Sequence, residues 1–283
     1  QESRGLGDVY KRQARAAKQA ATALSLATSE QKNQALSYIA DGLQRHCADI
    51  LQANAQDLER AEKNGMAPAM LDRLRLTEAR VADMAEGVRQ LMELSDPVGT
   101  VLDEWTRPNG LSIQKVTVPL GVICIIFESR PNVTVDAASL CIKSGNATVL
   151  RGGSEAICSN TALSHVLKEG LEKAGLPSNA VGLMENTDRA LVRELLTLRN
   201  YIDVAIPRGG AGLIRMVVDT AKVPVIETGS GICHVYVDRD ADLDKAVAII
   251  ENAKVQRPST CNAMETLLVH KDVVCLLYTS DAA

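Results

Sequence analysis

The chain has 283 residues, 46% hydrophobic and 23% charged, with a formal net charge of −4. That length can bury a sizeable core, and the acidic balance argues against a nucleic-acid or membrane-surface partner. Aromatic residues make up only 2%, which argues against a base-stacking platform, and no apolar run reaches the roughly 20 residues of a membrane span. The seven cysteines, Cys47, Cys124, Cys141, Cys158, Cys233, Cys261 and Cys275, are odd in number and contain no C-x-x-C pair. With no signal-peptide h-region visible, that pattern points to reduced thiols in a cytoplasmic setting. The four histidines show no metal-ligand spacing, so no metal is expected.

The two ends read differently from the rest. Asp8-Val9-Tyr10-Lys11-Arg12-Gln13 and Cys275-Leu276-Leu277-Tyr278-Thr279-Ser280 resemble opposite-strand translations of one sequencing-adapter DNA. Residues 1–13 and 275–283 are therefore expected to be artefact tails, which places genuine sequence between about Ala14 and about Val274 and leaves the natural C-terminal part missing.

Residues 14–94 read as helical. Ser29-Glu30-Gln31-Lys32 offers a helix start, with Leu36, Ile39, Ala40 and Leu43 on one face. A second helix carries Ile50, Leu51, Leu58 and Ala61 and stops at Lys63-Asn64-Gly65. Arg73 to Glu78 leads into a third, which ends before Asp96-Pro97. His46 and Cys47 read as helix-surface or core residues. From Val98 to Val118, alternating β-formers flank Arg107-Pro108-Asn109-Gly110, the pattern of a hairpin.

Val122 to Phe127 is a continuous apolar run, as suits a strand buried on both faces. Strands then alternate with helices: a helix from Arg130-Pro131-Asn132 to Ser144-Gly145, and a strand over 147–150. Next come a helix from Arg151-Gly152-Gly153-Ser154-Glu155 to Ala174-Gly175, a short strand at 181–184 and a helix over 191–198. A strand over 201–206 follows, running into Pro207-Arg208-Gly209-Gly210-Ala211-Gly212 and a further helix. This order predicts an α/β fold with a parallel sheet covered on both sides, and ligands at the carboxyl ends of its strands, where the glycines cluster. The Gly209–Gly212 turn reads either as a phosphate-binding backbone at a helix start or as a tight turn. Glu227, at a strand end beside Gly229 and Gly231, reads either as a general base or cofactor contact or as a solvated loop acid. Cys233 and His234 alternate along a strand, and Asp242 and its neighbours start a helix that ends near Ala253. The polar, proline-containing stretch Lys254-Val255-Gln256-Arg257-Pro258-Ser259-Thr260-Cys261-Asn262 follows. Lys254 and Arg257 lie close in sequence to Cys261, a setting that favours a reactive thiolate; an inert loop cysteine is the other reading.

Six segments, in this order, resemble the aldehyde dehydrogenase superfamily and, within it, the gamma-glutamyl phosphate reductase (glutamate-5-semialdehyde dehydrogenase) family. They are Val118–Val122, Phe127-Glu128-Ser129-Arg130-Pro131-Asn132-Val133-Thr134, Leu150–Glu155, Ile206–Gly210, Pro224–Gly229 and Gln256–Ala263. The resemblance implies an α/β, aldehyde dehydrogenase-like fold: helices and an NADP-binding Rossmann-type sheet over 14–230, with an oligomerisation hairpin at 98–118, then the start of a catalytic domain at 231–274. It implies Cys261 as the nucleophile, Asn132 as an oxyanion donor and Glu227 as a site residue with no settled task. NADP is placed near Arg151, Gly152, Ser154, Glu155, Arg208, Gly209 and Gly210, and Arg130 and Arg257 are the candidates to bind substrate. The implied reaction is NADPH-dependent reduction of glutamyl phosphate, a small-molecule substrate, in proline biosynthesis by a protein that is a homo-oligomer at full length. The alternatives are a hydrolytic or acylating aldehyde dehydrogenase, or a truncated, inactive cofactor-binding fragment.

Overall fold

The computed structural model describes residues 2–280 other than Thr187, Ser230 and Ser259. The chain divides into two compact units, residues 1–228 and 229–283.

In the first unit, helix α1 (Glu2–Ser25) runs unbroken across the Asp8–Gln13 segment, and Tyr10 is buried in the core. Thr28 and Gln31 form a reciprocal capping box at the start of α2 (Ser29–Arg45), which satisfies two amides that the helix leaves unbonded. Leu36, Ile39, Ala40 and Leu43 are buried, as their spacing predicts. Helix α3 (Cys47–Lys63) ends at Asn64. The next stretch departs from expectation, because Arg73 and Leu74 belong to a separate short helix, α4 (Pro68–Leu74). Pro68 presets its first turn. The chain then extends through Arg75, and the Thr77 hydroxyl accepts the Arg80 amide at 3.2 Å to open α5 (Glu78–Glu93).

Strands β1 (Val101–Thr106) and β2 (Ser112–Val116) pair antiparallel around a turn closed by Arg107 and Leu111. The alternating part follows: β3 (Val122–Phe127), α6 (Asn132–Lys143), β4 (Ala147–Arg151), α7 (Ile157–Lys173), β5 (Val181–Leu183), α8 (Arg189–Leu195), β6 (Val204–Arg208) and α9 (Ala211–Thr220). The four strands form one parallel sheet in the order β5-β4-β3-β6. All six residues of β3 are buried, so this strand takes the centre with a partner on each side. Thr148 of β4 lies against Cys141 of α6, whereas Arg151 faces Tyr10 of α1. Those strand positions are three apart, so alternation puts α6 and α1 on opposite faces of the sheet.

β6 starts later than the sequence predicts and ends later. Leu198 to Ile202 fold into turns that close α8, with the Tyr201 and Ile202 amides both donating to the Leu198 carbonyl. The strand then continues through Pro207, which pairs in register with Ile126. Proline is tolerated because β6 is the outermost named strand on that side, flanked only by a single bridge from Ala205 to Val225.

Two buried polar groups tie these helices to other parts of the unit. Asp57 of α3 is fully buried and accepts the Cys158 and Ser159 amides (3.2 and 2.8 Å) and the Ser159 hydroxyl (2.7 Å). It therefore caps α7 from another helix and supplies a negative charge at its amino end. Lys32 of α2, with 2% of its side chain exposed, pairs with Asp96 at 2.5 Å. Burial pushes the Asp96 carboxyl up, but hydrogen bonds from Lys32, Ser29 and the Val98 amide outweigh it and hold the group below the ordinary carboxylate range. Nearby, burial lowers the pKa of Lys143, whose ammonium donates to Asn33 Oδ1 and the Met92 carbonyl.

The second unit is a strand–helix–strand. β7 (Cys233–Val237) and β8 (Met264–Val269) pair in parallel, joined by α10 (Leu243–Val255), and α11 (Val274–Ser280) follows. The Asp242 carboxylate accepts the Lys245 amide at 3.2 Å to start α10, in keeping with the sequence. Val237, Ala246 and Val273 form its small core.

Asp57→Ala leaves three α7 donors without their acceptor, and we expect a loss of about 2–4 kcal/mol in urea unfolding. Asp96 is held low in the folded state, so its contribution is present above the ordinary carboxylate pKa and is lost as pH falls through its folded value. The urea midpoint should drop accordingly on acidification, and Asp96→Asn should flatten that dependence while lowering the midpoint at neutral pH.

Candidate active site

In the first unit the carboxyl ends of β3, β4 and β6 lie side by side. The chain leaves β3 for β4 on one side and later returns to β6 on the other, so the switch of direction falls between β3 and β6. In open α/β sheets that is where ligands bind. After β3, Glu128-Ser129-Arg130 makes a tight turn in which the Arg130 amide donates to the Glu128 carbonyl at 2.6 Å, and Pro131 then leads into α6. After β4, Gly152-Gly153 leads into a single 3-10 turn over Ser154–Ala156 before α7. After β6, Gly209-Gly210 opens α9.

These turns touch one another. The Gly210 amide donates to Glu128 Oε2 at 3.2 Å, and the Ser129 hydroxyl donates to Glu155 Oε1. A carboxylate thus already sits on the amide at the amino end of α9, the position where a helix favours an anion. Gly152 packs so tightly that a Cβ there would lie 2.2 Å from Asn160 Nδ2 and 3.1 Å from the Phe127 ring. Asn160 is fully buried; its Oδ1 accepts the Thr134 hydroxyl at 2.9 Å, while its Nδ2 has no partner among the described residues. At Gly209 a Cβ would lie 2.6 Å from the Glu128 carboxyl carbon.

The residues singled out in the sequence divide into groups. Gly152, Ser154, Glu155, Gly209 and Gly210 gather at this edge, with Arg208 exposed at the end of β6 and Arg130 exposed after β3. Arg151 does not join them. Its register with Ile126 turns it to the other face, where it shares a recess with Tyr10, Asn186 and Asp188. Burial pushes the Tyr10 hydroxyl up to about 12, against the lowering influence of Arg151, and it donates to the Asn186 carbonyl at 2.5 Å. Asn132 is half-buried at the start of α6, and its amide donates to Asp136 Oδ2 at 2.9 Å. Desolvation raises the Asp136 carboxyl, opposed by that hydrogen bond, although part of its surface is open to solvent. Glu227 is exposed in the loop after Val225. Glu128, Ser129 and Asn160 were assigned no role from sequence; the first two could have been found as the residues that leave the strand at the switch point.

In the second unit Cys261 is exposed on a loop. The Thr260 amide (3.1 Å) and hydroxyl (2.8 Å) both donate to the Arg257 carbonyl, and the Ala263 amide donates to the Thr260 carbonyl. Arg257 is exposed on the same loop. Burial pushes the Cys124 and Cys141 thiols up to about 12, which makes them inert.

The family model for the aldehyde dehydrogenase family matches residues 5–277. The chain belongs to the aldehyde dehydrogenase family. It is 56% identical over 267 residues to a gamma-glutamyl phosphate reductase of Moorella thermoacetica, covering 94% of this chain and 64% of that one. It is 52% identical over 254 residues to the Anoxybacillus flavithermus protein of the same name, covering 90% of this chain and 62% of that one. The chain thus spans less than two thirds of the length of these curated relatives. The crystal structure of the Thermotoga maritima gamma-glutamyl phosphate reductase superposes with a TM-score of 0.88 at 45% identity, over 96% of this chain and 66% of that one. An acetylating aldehyde dehydrogenase of Geobacillus thermoglucosidasius, at 18% identity and TM-score 0.73, covers 99% of this chain and 59% of its own and shares the fold.

A nicotinamide cofactor is the group this family implies, and the residues of the first unit fit one. The glycine at 152 lets the backbone approach closely, the amino end of α9 holds an anion, and the Glu155 carboxylate can accept from ribose hydroxyls. Gly152→Ala should cost about 1–3 kcal/mol of stability through the clash with Asn160. It should also weaken dinucleotide binding measured by nicotinamide fluorescence, while thermal unfolding separates the two effects.

Proposed function

We propose that this chain carries the cofactor-binding and nucleophile-bearing parts of a gamma-glutamyl phosphate reductase. The reaction is reduction of L-glutamyl 5-phosphate to L-glutamate 5-semialdehyde and phosphate, with NADP as cofactor, in proline biosynthesis. The observation that carries the reading is the exposed Cys261 on the Gln256–Ala263 loop, in a chain 52% to 56% identical to proteins of that name.

The steps follow from what the side chains can do. The Cys261 thiolate attacks the γ-carbonyl of the acyl phosphate, and the oxyanion that develops is held by hydrogen-bond donors. One is the backbone N–H of Cys261; Asn132 is the proposed second, once its amide leaves Asp136. Phosphate departs and a thioester to Cys261 remains, a good hydride acceptor because sulfur donates weakly into the carbonyl. NADPH, when bound, supplies the hydride. The thiohemiacetal then collapses and frees Cys261. Gly152, Ser154, Glu155, Arg208, Gly209 and Gly210 are the proposed cofactor contacts. Arg151, turned toward Tyr10 on the other face, stands apart from that set. Arg130 and Arg257 offer guanidinium groups for substrate carboxylate or phosphate. We assign Glu227 to the site without a proton-transfer task, since this reaction releases phosphate and needs no base to activate water.

The β1–β2 hairpin exposes Val101, Leu102, Trp105 and Val116, which supports a homo-oligomer in which a second copy covers that face. No helix among the described residues is long and apolar enough to cross a membrane. The cytoplasmic placement we propose rests on the odd number and scattered spacing of the cysteines.

The test is NADP reduction by glutamate semialdehyde, with and without inorganic phosphate, in the chain extended to the length of its relatives. Strict phosphate dependence is expected, with Cys261→Ser losing essentially all turnover and Asn132→Ala about a hundredfold to a thousandfold. Phosphate-independent formation of glutamate would overturn the reading in favour of a hydrolytic dehydrogenase with Glu227 as base.

A further inference from the structure

The second unit brings two of its cysteines together. Cys233 Sγ lies 3.5 Å from the backbone carbonyl oxygen of Cys261. A carbonyl oxygen is about 2.4 Å from its own Cα, so Sγ of Cys233 is within about 6 Å of the Cys261 Cα; in a disulfide that separation is about 4 Å. Three features make the remaining shift small. Cys261 is exposed on its loop, and Cys233 is half-exposed at the first position of β7. The ladder is also irregular there: Cys233 pairs with Met264, but His234 pairs with Thr266, so one extra residue of β8 is accommodated beside Cys233. Such a bulge loosens the end of a ladder while the rest stays in register. Meanwhile the Lys254 ammonium donates to the Met264 carbonyl at 3.0 Å, which ties the end of α10 to the strand beside Cys233 and keeps the loop between them folded back toward it.

We propose that Cys233 is the resolving thiol for Cys261, so that a peroxide converts the pair into a reversible disulfide. The Cys261 thiolate attacks one oxygen of hydrogen peroxide, the O–O bond breaks, and Cys261 becomes a sulfenic acid as hydroxide leaves. The Cys233 thiol then attacks the sulfenic sulfur, the S–O bond breaks, and water leaves with the Cys233 proton. Overall two thiols and one peroxide give one disulfide and two waters, with two electrons passing from sulfur to oxygen. A small thiol reverses it by exchange. The pairing stands on the geometry alone. Its consequence, that oxidation stops turnover while sparing Cys261 from irreversible sulfinic acid, rests on Cys261 being the nucleophile.

The experiment treats this folded chain with stoichiometric hydrogen peroxide, alkylates the remaining thiols and maps the peptides by mass spectrometry. The expected product is one cross-linked pair through Cys233 and Cys261, lighter by two hydrogens and lost on adding dithiothreitol. Cys233→Ser should give no such pair and should carry Cys261 on to sulfinic acid. Cys261 recovered as sulfinic acid in the unsubstituted chain, or joined to Cys275 instead, would overturn the proposal. Turnover of the extended chain, followed in parallel, separates the two readings. A cross-link that leaves activity unchanged removes Cys261 as nucleophile but not the pairing. Irreversible loss of activity without the cross-link removes the pairing but not the nucleophile.

Discussion

The first unit depends on burying both faces of one strand. Val122 to Phe127 offers no charged side chain and is buried along its whole length, so every peptide group along it must be bonded to a neighbouring strand. β4 and β6 supply those bonds in matching register, and helices must then cover both faces. The turn residues follow from this. With β3 central, the segments that leave it and its two neighbours emerge at one edge, and backbone there is free to bond something other than sheet.

What gathers at that edge is mixed in charge. Glu128 and Glu155 are acceptors, Gly210 offers a donor at a helix start, and Arg130 and Arg208 stand exposed beside them. A dinucleotide presents both kinds of group, hydroxyls that donate and phosphates that accept, so an edge of a single sign would suit it less well. The contact between Glu128 and the Gly210 amide also means that an incoming phosphate must replace a carboxylate already in that position, and the exposure of Glu128 leaves it room to move aside.

Much of this was legible in the sequence where local periodicity and burial agree. The buried face of α2, the Asn-Gly hairpin, the wholly apolar β3 and the strand–helix alternation all express patterns only a few residues long. The discrepancies come from longer-range constraints. Arg151 lies in a segment with the right motif, but the side to which it points is set by its register with Ile126. Leu198 to Ile202 has β-forming residues, yet closing α8 takes those amides first. α4 depends on Pro68 presetting a first turn. At the site, Asn160 could not be read because it matters through a partner 26 residues away, Thr134.

The Asp57 carboxylate has a consequence for how the chain holds together when it is cut. It comes from α3, before the exposed β1–β2 hairpin, and bonds α7, after it. The hairpin is the kind of exposed tip that proteases nick. Severing it divides the polypeptide without dividing the cooperative unit, because parting the halves would take from buried Asp57 its bonds to the Cys158 and Ser159 amides and leave the amino end of α7 bare. Helix α3 and helix α7 therefore stay one cooperative unit across a break in the hairpin.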